Sequence, residues 1–300
     1  MTTYDFIASN KRKTVLLLLG FTFFVGLIGY VIDRNYNTGG GFLVIALVYA
    51  LGSALVGYYA GDRIVLATSG AQPIDREDDL YLSRMGENLC LSTGMLQPKV
   101  YIIPDSAINA FATGRDPAHA SIAVTSGAIE KLQNEELEGV LAHELSHIRN
   151  YDIRVMTLVI VLVGLISVIV DMAFRFSMFG GGRRRGNDRE GGFSILMVFG
   201  LIAVILSPII AKLIQLAISR RREYLADASA ALTTRFPQGL ANALRKIELE
   251  SQPMQNASSA TAHLFFASPF SGKGVREFFS THPPIEKRIA ALETMSAPNA

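Results

Sequence analysis

Residues 134–149 read NEELEGVLAHELSHIR. His143 and His147 are four apart, so on a helix they stand on one face, one turn from each other. Glu144 projects beside them. Leu137, Val140, Leu141, Leu145 and Ile148 are apolar, which turns the helix toward a core or a cleft. Asn134 is the expected N-cap, with Glu135 and Glu136 in the first turn, where carboxylates favour the helix dipole. Two imidazoles one turn apart can grip a single zinc ion. The neighbouring carboxylate can then take a proton from a zinc-held water as it attacks a carbonyl, and later pass it to a leaving amine. The alternative is a packed helix carrying two histidines and a glutamate for no chemical reason. That would bury three polar groups without partners, which is costly.

A catalytic zinc needs a third protein ligand and an open position. The single cysteine, Cys90, excludes a cysteine-based site and an internal disulfide, and reads as a small buried residue. The histidines are His119, His143, His147, His263 and His282. The candidate third ligand is Glu223, in RREYLAD at 221–227, with Asp227 one helical turn on. Asp227 could accept a hydrogen bond from a ligand histidine and fix its tautomer. Taken alone, this segment reads as an exposed helix with paired carboxylates; His143 and His147 favour the ligand role.

Outward from these motifs the chain is apolar. Half of the 300 residues are hydrophobic and 18% are charged, against roughly 25% in an average soluble protein. The excess falls in four blocks, 14–32, 41–60, 155–174 and 193–217. Each is long enough, at about 1.5 Å per residue, to approach or cross a hydrocarbon core of about 30 Å. Lys11, Arg12 and Lys13 precede the first block, and no convincing small-residue cleavage site closes it. It therefore reads as an uncleaved span with its N-terminus in the cytoplasm. Gly52, Ser53 and Gly57 in the second block suit close helix packing. Asp171, near the end of the third block, reads as snorkelling to the interface.

The third and fourth blocks bracket a Gly/Arg-rich stretch, GGGRRRG at 180–186. If both blocks span, this positive loop faces the non-cytoplasmic side, against the usual charge bias. The net charge of +2 is too small to suggest a nucleic-acid protein. No GxxxxGK loop is present, so no built-in ATPase is expected.

Between the blocks the chain reads as soluble. A helix is expected over 77–91, strands over 99–103, 109–114 and 121–125, and further helices over 221–232, 239–250 and from Pro283. The fold class is mainly α with a small β-sheet. The division is a transmembrane hairpin (1–61), a first catalytic part with the His-Glu helix (62–154), a second hydrophobic hairpin (155–218) and a second catalytic part with Glu223 (219–300).

The HELSH motif, the downstream EYLAD, the flanking hydrophobic helices and NAFA at 109–112 together resemble the HtpX-type membrane metalloproteases. These are bacterial heat-shock proteases related to the CAAX prenyl endopeptidases. The resemblance runs from the N-terminal hairpin to THPP at 281–284. It implies a zincin fold of the gluzincin type, about four transmembrane helices, and one zinc ion on His143, His147 and Glu223 with Glu144 as catalyst. It further implies a multi-pass inner-membrane enzyme, facing the cytoplasm, that cleaves damaged membrane proteins. In such proteases the substrate backbone pairs with an edge strand, here Asn109, Ala110, Phe111 and Ala112, and His282 lies where it could stabilise an oxyanion. Two other readings compete. Cleavage of prenylated C-terminal peptides ranks lower, because four spans do not obviously enclose a large chamber. A metal-binding scaffold without activity is disfavoured because Glu144 and all three ligands are present.

Overall fold

The structure is a computed structural model. It describes residues 3–74, 80–179, 220–250, 252–255, 257, 261–269 and 283–296. The element order is α1 (Thr3–Tyr36), α2 (Gly41–Thr68), β1 (Gln72–Pro73), α3 (Leu80–Thr93), β2 (Lys99–Ile103), β3 (Ala110–Gly114), β4 (Ala120–Thr125), α4 (Ser126–Lys131), α5 (Asn134–Arg149), α6 (Asp152–Phe179), α7 (Arg220–Thr234), α8 (Pro237–Glu250) and α9 (Ile285–Ser296). The fold is thus mainly helical with a small mixed sheet.

Helices α1 and α2 form a hairpin. Its turn is set by Asp33, whose carboxylate accepts from the Gly40 N–H at 2.9 Å and from the Thr38 hydroxyl. Gly39 and Gly40 sit at φ +66° and +96°, a region that disfavours any side chain. Further along, a Cβ on Gly29 would fall 2.4 Å from the Ala46 Cβ, so the two helices touch there. Among the described residues, Asp5–Arg34 and Gly41–Thr68 are long and apolar enough to cross a membrane. Their outer faces leave Phe23, Val44 and Val48 more than half exposed, which suits lipid rather than water. Their inner faces bury Leu17, Phe21, Val25 and Ala50 against Val155, Leu158, Leu162 and Ile166 of α6.

Both helices outrun the apolar blocks read from sequence. α1 carries Lys11, Arg12 and Lys13 within it, and α2 continues past residue 60 to Thr68. The extension of α2 buries Val65 and Leu66 in one cluster with Ile103, Phe111 and Ala123. The hairpin therefore enters the sheet's own core. Gly57 and Gly61 let α6 close on α2: a Cβ there would lie 3.2 Å from Val161 and 3.0 Å from Thr157.

The strands are ordered β1-β2-β4-β3. β2 and β4 run parallel, with Tyr101 opposite Ala123, and β3 runs antiparallel to β4, with Phe111 opposite Ala123. β1 was invisible to periodicity, since two residues hold no pattern. β3 and β4 are buried throughout. α5 packs beneath β3 and is gripped on its other side by α7 and α8.

The starts of α5 and α9 are built differently from the sequence expectation. Gln133, not Asn134, caps α5: the Glu136 carboxylate reaches back to the Gln133 N–H at 2.7 Å. α9 starts at Ile285, two residues after Pro283, with the Pro284 carbonyl accepting from the Lys287 and Arg288 N–H groups. α5 and α6 meet at a bend of 81°, with Tyr151 at φ +60°. The Gly/Arg stretch at 180–186 and the fourth apolar block lie outside the described residues.

Candidate active site

The 3.6-residue helical period brings His143 and His147 together on α5, with their Nε2 atoms 3.2 Å apart. Glu223, in the first turn of α7, points at the same spot. Its Oε2 lies 3.7 Å from His143 Nε2 and its Oε1 3.5 Å from His147 Nε2. All three side chains are buried, and their donor atoms lie within 4.8 Å of one another.

The outer ring nitrogens are also engaged. His143 Nδ1 lies 2.9 Å from Asp227 Oδ1, and His147 Nδ1 lies 3.1 Å from Asp152 Oδ2. A carboxylate at Nδ1 holds the proton there, which leaves the Nε2 lone pair facing inward. Two lone pairs and a carboxylate then converge on one point in a buried pocket. That arrangement is repulsive unless a cation sits between them. Two imidazoles and one carboxylate, with room for a further ligand, are the donor set of a catalytic zinc, so the residues fit the ion.

Without a metal the two rings divide one positive charge unequally. Burial drives His143 down to about 4, with the Asp227 hydrogen bond pulling the other way. Burial also acts to lower His147. The Asp152 hydrogen bond and the charges of Glu223, Asp152 and Glu144 outweigh it and raise His147 to about 9. A divalent ion would replace that proton.

Glu144 is buried beside the pair. Burial lifts its carboxyl to about 7; the nearby Glu223 adds to the rise, while His147 and the Ala112 N–H, which donates to it, oppose. A group poised there can both accept and return a proton near neutrality.

Three residues around the centre escaped the sequence reading: Asp152, Arg288 and Asn10. Asp152 follows His147 by five residues across the bend, a spacing with no helical meaning. Arg288 belongs to α9, far along the chain. It donates to both Asp227 oxygens, Nε at 2.9 Å and a terminal nitrogen at 2.7 Å. Its guanidinium also lies 4.7 Å from the centre of the Phe266 ring. Its charge and the His143 contacts outweigh burial and hold Asp227 down at about 2. Such pairings become visible only once the helices are packed.

β3 is the last strand of the sheet among the described residues, but its outer edge is not bare. Ala110 O accepts from the Phe266 N–H at 2.8 Å, and the Gly114 N–H donates to the Thr157 hydroxyl at 3.2 Å. The Asn109 amide bonds the Ala267 backbone twice, at 3.0 and 3.2 Å. Phe111 turns the other way, its ring 5.3 Å from that of Phe265. The Phe266 ring stands edge-on to His143 at 4.9 Å. The chain's own residues 266 and 267 thus lie along β3, with Phe266 next to His143. His282 lies outside the described residues. His119 is on the surface, 2.7 Å from Asp116, and Asp171 is exposed and paired with Arg175.

A family model described as Peptidase family M48 matches residues 76–296. A protease HtpX homolog of Tropheryma whipplei (strain TW08/27) is 47% identical over 292 residues, covering 97% of this chain and 98% of its own. A protease HtpX homolog of Ligilactobacillus salivarius (strain UCC118) is 45% identical over 297 residues, covering 97% and 99%. Among solved structures, that of S. mikatae Ste24p is similar in fold, with a TM-score of 0.51 at 18% identity, over 97% of this chain and 67% of that one.

Proposed function

Because this chain belongs to peptidase family M48, we propose that it holds one zinc ion between His143, His147 and Glu223 and cleaves membrane proteins there. It is a membrane metalloprotease, and its substrates are peptides or proteins. One observation carries the zinc assignment: two imidazole nitrogens and a carboxylate oxygen, all buried, lie within 4.8 Å of one another.

When bound, zinc supplies a Lewis acid that polarises the scissile carbonyl and makes water a stronger nucleophile. This chain's residues supply the rest. Glu144 takes the proton from the attacking water on its carboxylate and returns it to the leaving nitrogen. Asp227 and Asp152 hold the two imidazoles in the tautomer that offers Nε2. Arg288 offsets the negative charge gathered around them. The substrate backbone adds along β3 at Asn109, Ala110 and Ala112, exchanging with residues 266 and 267 for the Ala110 carbonyl. By resemblance to the family, His282 is assigned to steady the developing oxyanion.

The bend between α5 and α6 sets the centre at the end of the membrane helices, within reach of damaged or misfolded membrane proteins. Lys11, Arg12 and Lys13 orient that end toward the cytoplasm, in a multi-pass inner-membrane enzyme serving protein quality control. The test is cleavage of casein and of an unfolded membrane protein by the full chain in detergent. Cleavage should vanish on chelation, return with zinc, and be lost in His143→Ala and Glu144→Gln. Undiminished cleavage by Glu144→Gln would overturn the mechanism. Preferential cleavage of prenylated peptides would shift the substrate class.

A further inference from the structure

We infer that Asn10, on the first membrane helix, is a positioning residue of the metal centre, acting through Asp152 on His147. The inference rests on the zinc reading above. Residues 1–61 look from sequence like an anchor, and an anchor needs no polar side chain buried in its packed face. Asn10 is nevertheless 1% exposed, and both its side-chain polar atoms face the catalytic part of the chain. Its Nδ2 donates to Asp152 Oδ1 at 2.7 Å and to the Asn150 carbonyl at 2.9 Å. Its Oδ1 lies 3.5 Å from the Arg222 guanidinium, which also donates to Asp152 Oδ1 at 3.0 Å.

The two oxygens of Asp152 thus have separate partners. Oδ1 is held by Asn10 and Arg222, while Oδ2 is turned to His147 Nδ1 at 3.1 Å. A carboxylate pinned through one oxygen cannot rotate the other away, so the ring it faces is fixed in both direction and tautomer. Asn10 also satisfies the Asn150 carbonyl just past the end of α5, where helix carbonyls lack internal partners. The Lys11 ammonium packs 4.8 Å from the centre of the Tyr151 ring at the same bend. Arg222 adjoins Glu223 in sequence. The elements that carry the three ligands therefore meet on the first turns of α1.

The arrangement has a polarity. In Asp152→Asn, the Asn10 amide and Arg222 both donate toward position 152, so the new amide turns its oxygen to them and its NH2 to His147. That forces the wrong imidazole tautomer. Zinc affinity is measured by chelator competition in the full-length protein, in a Glu144→Gln background that prevents self-cleavage. Asn10→Leu and Asp152→Asn should each weaken zinc binding by about tenfold or more. Asn10→Gln, which keeps the amide donor, should bind zinc more tightly than Asn10→Leu. With Glu144 intact, kcat should follow the same order while KM stays level.

Asn10→Gln no tighter than Asn10→Leu would overturn the inference, as would Asn10→Leu with unchanged zinc affinity. If the parent protein takes up no zinc, the metal reading fails first. If the parent binds zinc and Asn10→Leu binds it equally well, the positioning role alone fails.

Discussion

His143 and His147 differ in what stands behind them. Asp227, paired with Arg288, backs the first; Asp152, paired with Arg222 and Asn10, backs the second. Helical periodicity puts His143 with His147, and Glu223 with Asp227, on shared faces; it does not say by itself that the two pairs meet. Arg288 and Asp152 could not be read from spacing, since their partners lie on other elements or across a bend. The buried pairs have consequences. Arg288→Met leaves Asp227 buried with its countercharge gone, and should lower unfolding free energy by about 3 kcal/mol. Chemical denaturation checks this, and a loss below about 1 kcal/mol would mean that Asp227 does not depend on Arg288. Cys90 tests the pocket of α3 in another way. Its thiol is buried, and burial pushes it up to about 11. It is therefore protonated at pH 8 and should resist alkylation in the folded protein, reacting only as the pH nears that value or the chain unfolds. Rapid labelling at pH 8 would contradict the packing of α3.

At the scale of elements, close backbone approaches decide where α5 sits. A Cβ on Gly139 would meet the Leu240 backbone nitrogen at 2.9 Å, and one on Gly239 would meet the Glu135 carbonyl at 2.4 Å. In an isolated helix Gly139→Ala would add about 1 kcal/mol. Here it must push α8 away, so the variant should instead be less stable by about 1–3 kcal/mol; a rise in its urea midpoint would show that α5 and α8 are farther apart. Alternation and β-branching marked β2 and β4, and NAFA marked β3 to within a residue. What sequence could not show was how the edge of β3 is used, because Phe266 reaches Ala110 from a stretch with no periodic signal. Nor did it show how far α2 extends, since Asp62 and Arg63 look like the start of a soluble region. The helix carries them on because Val65 and Leu66 have a core to enter.

For the whole molecule, hydropathy made the N-terminal hairpin legible, while the sharp bend between α5 and α6 was not. A bend depends on Tyr151 adopting a positive φ, which no pattern of apolar residues announces. The four-span topology predicts that a reporter fused at Gly182 signals from the non-cytoplasmic side, and one fused after Ser296 from the cytoplasm. A cytoplasmic signal at Gly182 would leave the N-terminal hairpin as the membrane anchor and remove the second. The metal centre is tested most directly by the metal content of the full-length Glu144→Gln protein, purified in detergent and supplied with zinc. About one zinc per chain should be retained through dialysis, and Glu223→Ala and His143→Ala in the same background should lose it. Zinc kept in full by both variants, or absent from the parent protein, would contradict a site built from His143, His147 and Glu223.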